Sequence, residues 1–145
     1  MEHYRERVEV ELDANFDAAN LEPHVDRIVA ASGVSEGTVT VFSAGATAAV
    51  TTIEFESGCL SDLERALEQI APSHEDYAHN EKWGDGNGFS HLRSALLDPS
   101  VSAPVVDGEA GFSTWQQPVV LNFDNRARRR EVHVVVQGRR TKEEG

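Results

Sequence analysis

The chain is short of several things, and each shortage excludes something. Cys59 is its one cysteine, so no internal disulfide can form and nothing points to an oxidising compartment. Only Lys82 and Lys142 among its cations are lysines, and aromatics make up 7% of the residues. No apolar run approaches the length that crosses a bilayer, and the opening Met1–Glu6 carries no apolar leader-type segment. A cytoplasmic protein is therefore expected, without a membrane partner. Glycine-rich dinucleotide and Walker-type loops are both absent, which removes the most legible routes to dinucleotides and nucleoside triphosphates. Cys59 has apolar or acidic neighbours and no nearby histidine, so it reads as a small core residue just before a helix and not as a nucleophile.

What is present in excess is negative charge. With 25 Asp and Glu against 13 Lys and Arg, the formal charge is -12 over 145 residues. Such a surface repels nucleic acid and anionic lipid, and it resembles surfaces adapted to a salt-rich cytoplasm. Because screening relieves self-repulsion, the melting temperature is expected to rise from dilute buffer to molar potassium chloride. A flat or falling curve in a thermal-unfolding series would contradict the salt-adapted reading. The length suits one domain, expected over 1–138, with an exposed tail at 139–145.

Val8, Val10 and Leu12 alternate with Glu9 and Glu11, the period-two pattern of a half-buried strand. Leu21, Val25, Ile28 and Val29 recur at helical spacing and are followed by Gly33, a plausible helix end. Two strands are expected over 38–42 and 48–55. A helix follows, started by a Ser61/Glu64 capping box and stopped by Pro72. The stretch from Pro72 to Gly88 has no period and reads as a long loop, and 91–97 reads as a short helix. Three further strands are expected over 103–106, 115–123 and 130–137. The fold class is α+β, mainly antiparallel sheets forming a sandwich, with two main helices and one short one.

The densest group of reactive side chains lies between Tyr77 and His91. His79, Asp85, Asn87 and His91 fall there within one reversal, and imidazoles with a carboxylate can exchange protons near neutral pH or hold a divalent metal. The competing reading has both histidines simply bonded to backbone carbonyls. Ser90 sits where an N-cap would lie, and the free amides there suit a phosphate. Trp115 and Gln116 pair a stacking surface with an amide, although a core tryptophan is the commoner outcome. Of the basic run, Arg128 and Arg130 share one strand face and Arg129 takes the other. Their forks suit phosphate, against the alternative of a solvated hairpin or subunit-contact ion pairs.

Taken in order, Thr47-Ala48-Ala49-Val50 with Glu54, Tyr77-x-His79, Asp85-x-Asn87, Ser90-His91-Leu92, Pro104-Val105 with Gly108, Thr114-Trp115-Gln116 and the Arg-rich last strand resemble the YjbQ family. The match runs over roughly residues 5 to 138. The resemblance implies a homotrimer with a pocket near the subunit boundary, built from the histidine loop. Its implied occupant is a phosphate or a divalent metal, magnesium or zinc, with His79 and His91 as ligands. It further implies catalytic roles for His79, His91, Asp85 and Glu54, and ligand contacts for Thr47, Asn87, Ser90, Trp115, Gln116, Arg128 and Arg130. The activity it implies is that of a secondary thiamine-phosphate synthase, joining a pyrimidine diphosphate to a thiazole phosphate. The alternatives are a phosphate-ester hydrolase and a non-catalytic metabolite- or metal-binding sensor. One departure stands out: many relatives have a histidine before two hydroxyl residues where this chain has Gly45-Ala46-Thr47, so a third imidazole is missing.

Overall fold

The computed structural model describes residues 1–140. Its elements are β1 (Glu2–Leu12), β2 (Asp17–Asn20), α1 (Glu22–Ser32), β3 (Val34–Ser43), β4 (Ala48–Ile53), α2 (Ser57–Ile70), α3 (Ala78–Trp83), α4 (Gly88–Leu97), β5 (Ser100–Val106), β6 (Glu109–Ala110), β7 (Gln117–Asn122) and β8 (Arg128–Arg140). A five-stranded sheet in the order β1-β8-β3-β5-β6 faces a three-stranded sheet in the order β2-β7-β4, and every pairing is antiparallel. None of the described helices is long and apolar enough to cross a membrane.

Valines fill the space between the layers. Val39, Val41, Val132, Val134 and Val136 of the large sheet meet Val50 and Val120 of the small one, and α1 adds Val25, Ile28 and Val29. β-branched side chains suit this setting because they pack well on a pleated surface. The other face of the small sheet buries Ala49, Val119 and Leu121, with Phe123 beyond the strand, against Leu67 of α2 and, at the edge, Leu97 of α4. β7 is thus covered on both faces, which is why it reads as an unbroken run, Val119-Val120-Leu121, rather than as an alternation. α1 begins with a proline in its first turn and ends at Gly33, whose φ of 72° is the left-handed conformation that glycine adopts without a Cβ clash.

The expected boundaries shift in places. α2 starts at Ser57, so Ser61 and Glu64 lie inside it and form no capping box. The cap is Glu56, which accepts from the amides of Gly58 and Cys59 and holds negative charge at the positive helix end. Those two amide bonds lower the Glu56 pKa. Residues 78–83, expected within a loop, form α3, which makes four helices among the described residues rather than the expected three. The last strand reaches Arg140, with Arg139 opposite Glu36 and Arg140 opposite Val34. Two residues of the expected tail are therefore sheet, and the remainder lies outside the described residues.

β3 and β8 come unusually close where Gly37 faces Gly138. A Cβ on Gly138 would lie 2.1 Å from the Glu36 carbonyl oxygen and 2.7 Å from the Gly37 Cα, both backbone atoms that cannot swing aside. Gly138→Ala is expected to destabilise the fold by about 1–3 kcal/mol through forced backbone displacement. Urea unfolding measures this, and a loss under about 0.5 kcal/mol, the level of an ordinary surface substitution, would contradict the close approach.

Candidate functional site

Two short helices build the histidine cluster. Tyr77 precedes α3 and anchors the approach by donating its hydroxyl to the Pro72 carbonyl at 2.6 Å. α3 ends at Gly84 in the left-handed conformation, and the chain turns back into α4. The Asn80 side-chain oxygen accepts from the Gly88 amide at 2.9 Å, pinning the end of the turn to α3. Gly88 has to be small here, since a Cβ would approach the Tyr77 Cβ to 2.6 Å. The reversal brings the His79 and His91 rings to 4.4 Å between centroids, tilted by 40°.

Asp85 Oδ1 lies 3.4 Å from His79 Nδ1. This is short enough for an ion pair when the ring is protonated, but the alignment falls short of a hydrogen bond, and Nδ1 is buried without a partner. Asn87 sits between two carboxylates. In one orientation its amide nitrogen donates to Asp124 Oδ1 at 3.4 Å, and in the other it donates to the Asp85 oxygens at 2.9 and 3.2 Å. The shorter distances favour the second. The loop also rests on the β7–β8 turn, where the Asn125 amide donates to the Asp85 carbonyl at 2.8 Å.

Beneath it lies a buried polar network that the sequence did not announce. Asp124, 2% exposed, accepts at Oδ2 from Thr47 Oγ1 (3.1 Å) and Arg128 Nε (3.0 Å), and Arg128 Nη2 lies 2.9 Å from the same oxygen as an ion-pair contact. Burial by itself would raise the Asp124 pKa, but the bonds and charge of Arg128, with help from Thr47 and Asn87, outweigh it and hold the group below its ordinary value. Arg130 donates to Thr47 Oγ1 at 2.7 Å and to Asn122 Oδ1 at 2.5 Å. The Asn122 amide in turn donates to the Asp13 and Arg126 carbonyls. Arg129 points the opposite way and pairs with Glu9 and Glu11. In sequence, Asn122 lies at the end of the strand expected over 115–123 and Asp124 just past it. Their signal was a pair of polar residues closing the most apolar strand.

Other candidates lie elsewhere. Ser90 is inside α4, fully buried, and donates to the Asn87 carbonyl at 2.5 Å, so Asn87 and not Ser90 occupies the N-cap position. Glu54, Trp115 and Gln116 stand at the far end of β4 and β7. Since Ala48 pairs with Asn122 and Ile53 with Gln117, they are about 20 Å from Thr47 and Asp124. Trp115 is 73% exposed rather than core. Cys59 lies within α2, where partial burial and then the Glu56 and Glu54 carboxylates push its thiol up to about 11, far from a thiolate at neutral pH.

The donor set can be tested for a metal. Among the described residues, the one group of three or more His, Cys, Asp or Glu side chains whose ligand atoms lie within 4.8 Å of one another is Glu54, Glu56 and Cys59. Both Glu56 carboxylate oxygens already accept from the first amides of α2, so that group keeps only Glu54 and Cys59 free, fewer than a cation site needs. His79, His91 and Asp85 do not converge as three ligands, and position 45 supplies no imidazole. Within one chain the histidine cluster does not fit the closed tetrahedral set that zinc requires.

Comparison with known proteins agrees with this architecture. Residues 6–139 match the family described as UPF0047 protein YjbQ-like, and the chain belongs to that family. A UPF0047 protein of Methanothermobacter thermautotrophicus is 33% identical over 139 residues, covering 96% of this chain and 95% of that protein. Among solved structures, a YbjQ-like protein of Sulfolobus solfataricus superposes with a TM-score of 0.90 at 25% identity, covering 95% of this chain and 99% of that one. A YjbQ/UPF0047 family protein of Clostridium acetobutylicum gives a TM-score of 0.82 at 26% identity, covering 91% and 99%.

Proposed function

We propose that this protein is an enzyme acting on a phosphorylated small molecule, with His79 and His91 handling protons and the Arg128/Arg130 side of the network facing the phosphate end. The supporting observation is the pairing of two imidazoles at 4.4 Å with Asp85 3.4 Å from one of them, at the surface of a network holding two guanidiniums. Such a group can donate and accept a proton near neutral pH. The finer reading is the coupling of a pyrimidine diphosphate to a thiazole phosphate. The thiazole nitrogen would bond to the pyrimidine methylene carbon as the carbon–oxygen bond to diphosphate breaks. A protonated His79, steadied by Asp85, would deliver its proton to the departing diphosphate, and arginine charge would offset the anion.

We further propose that the chain works as a homotrimer. Glu54, Trp115 and Gln116 are too far from the histidines to act within one chain, and association would give them a neighbour's cluster to complete. Light scattering is expected to give a trimeric mass, and a monomeric mass at both low and molar salt would overturn this. The functional reading is tested by thermal-shift screening of phosphorylated metabolites in high salt, because a ligand that binds the native state raises its melting temperature. Product analysis of each hit follows. Conversion of a hit supports an enzyme, whereas binding without turnover would indicate a sensor.

A further inference from the structure

A cleft opens on the side of α4 turned away from the histidines. Phe89 and Arg93 stand four residues apart on that helix and share a face, whereas His91 between them faces the other way. With Phe16 of the β1–β2 loop, His74, and Glu64 and Glu68 of α2, they line a cavity of about 390 Å³, a size that suits a small molecule. Arg93 is 2% exposed and only partly served. Its Nε donates to the Ala71 carbonyl at 3.1 Å and its Nη2 to Glu68 Oε2 at 2.7 Å, but Nη1 has no hydrogen-bond partner among the described residues. A charged donor held away from water without an acceptor costs stability, so Nη1 calls for one from the cleft. Glu68 is already engaged, by Arg93 Nη2 and by the Ser73 amide (2.8 Å) and hydroxyl (3.0 Å). Glu64, one turn earlier on α2, is exposed and makes no hydrogen bond or ion pair among the described residues.

We infer that this cleft binds a free α-amino acid with an apolar side chain, its carboxylate on Arg93 and its ammonium on Glu64. The charges decide the class. Two carboxylates and one guanidinium line the cleft, so a multiply charged anion is repelled, a simple amine leaves Arg93 Nη1 unmatched, and an uncharged molecule serves neither end. The spacing fits as well. Residues four apart on a helix hold their Cβ atoms about 5–6 Å apart, which sets Glu64 about one turn from the Glu68–Arg93 pair. The carboxylate and ammonium of one α-carbon span that distance with a hydrogen bond at each end. Phe16 and Phe89 supply the apolar wall for the side chain, and both are held in place, Phe16 against Phe123 at 6.1 Å between ring centroids and Phe89 beneath the Arg93 guanidinium at 4.9 Å. The site stands apart from the proposed function, since neither the histidine pair nor the network around Asp124 takes part in it.

Calorimetric titration of the full chain with L-leucine and L-phenylalanine at fixed ionic strength tests it, with the N-acetyl and amide derivatives of each as controls. At least one of the two amino acids is expected to bind at one per chain with a Kd below about 1 mM. Its N-acetyl form lacks the ammonium and its amide form lacks the carboxylate, so each should bind at least about tenfold more weakly, the loss of one charge-assisted hydrogen bond. Glu64→Gln should weaken binding by a similar factor, and because Glu64 is exposed this variant remains informative even if Arg93→Gln fails to fold. His91→Ala should stay within about twofold of the parent, since its ring lies on the other side of α4. Absence of saturable binding of both amino acids, equal binding of either derivative, or parent-like binding by Glu64→Gln would overturn the inference. Loss of binding in His91→Ala would also overturn it, by placing the amino acid on the histidine side of the helix.

Discussion

Asp124→Ala is expected to destabilise the protein by about 3–5 kcal/mol, the range for removing one partner of a buried ion pair. The carboxylate is 2% exposed, accepts from Thr47 and from Arg128 Nε, and forms an ion pair with the Arg128 guanidinium. Its loss would strip Arg128 of its partner and remove the negative charge nearest to Arg130, itself buried and pushed below its usual pKa mainly by that burial. Urea unfolding measures the loss, and a change under about 1 kcal/mol would mean that the network adds little beyond an exposed pair. The same residue carries a pH dependence. Its folded pKa lies below the ordinary 3.8, so its contribution is present above that value and is lost as pH falls through the lower, folded one. Asp124→Ala should therefore flatten part of the acid limb of the stability curve, and an unchanged slope below pH 4 would contradict the assignment.

The second large effect is on turnover. His79→Ala and His91→Ala are each expected to lower turnover about 10²–10⁴-fold, the usual contribution of a positioned acid or base. Both imidazoles sit on a helical turn outside the two apolar clusters, so the variants should melt within a few degrees of the parent. His133 is the matched control. It pairs with Glu131 at 2.9 Å on the opposite face of β8 from Arg130, and His133→Ala should leave turnover unchanged. Equal activity across all three variants would remove the histidine pair from the chemistry.

The sequence was most legible where burial imposes a period. α1 could be read from Leu21, Val25, Ile28 and Val29, since each contacts the main core, and its end could be read from Gly33. α3 could not: its six residues include no buried side chain, so no apolar period marks it, and it is held instead by Asn80 and Gly88. The start of α2 was misread because Glu56 caps it, a residue outside the usual Ser, Thr, Asp and Asn set. β2 and β6, at four and two residues, are too short to alternate visibly. In the candidate site, His79, Asp85, Asn87 and His91 stood out because one reversal gathers them. The network around Asp124 did not, because Thr47, Asn122 and Arg130 meet only through the β3–β4 and β7–β8 turns, each of which crosses from one sheet to the other. Long-range pairing of that kind leaves no local pattern. Glu54, Trp115 and Gln116 were grouped with the histidines by resemblance, and strand register separates them within the chain.

The most direct test of the central claim is a mass-spectrometric assay for thiamine phosphate and released diphosphate. The parent, His91→Ala and His133→Ala would each be incubated with the pyrimidine diphosphate and the thiazole phosphate in molar salt. The account predicts both products from the parent and from His133→Ala, with at most about a hundredth as much from His91→Ala. No product from the parent, or as much from His91→Ala as from the parent, would contradict it.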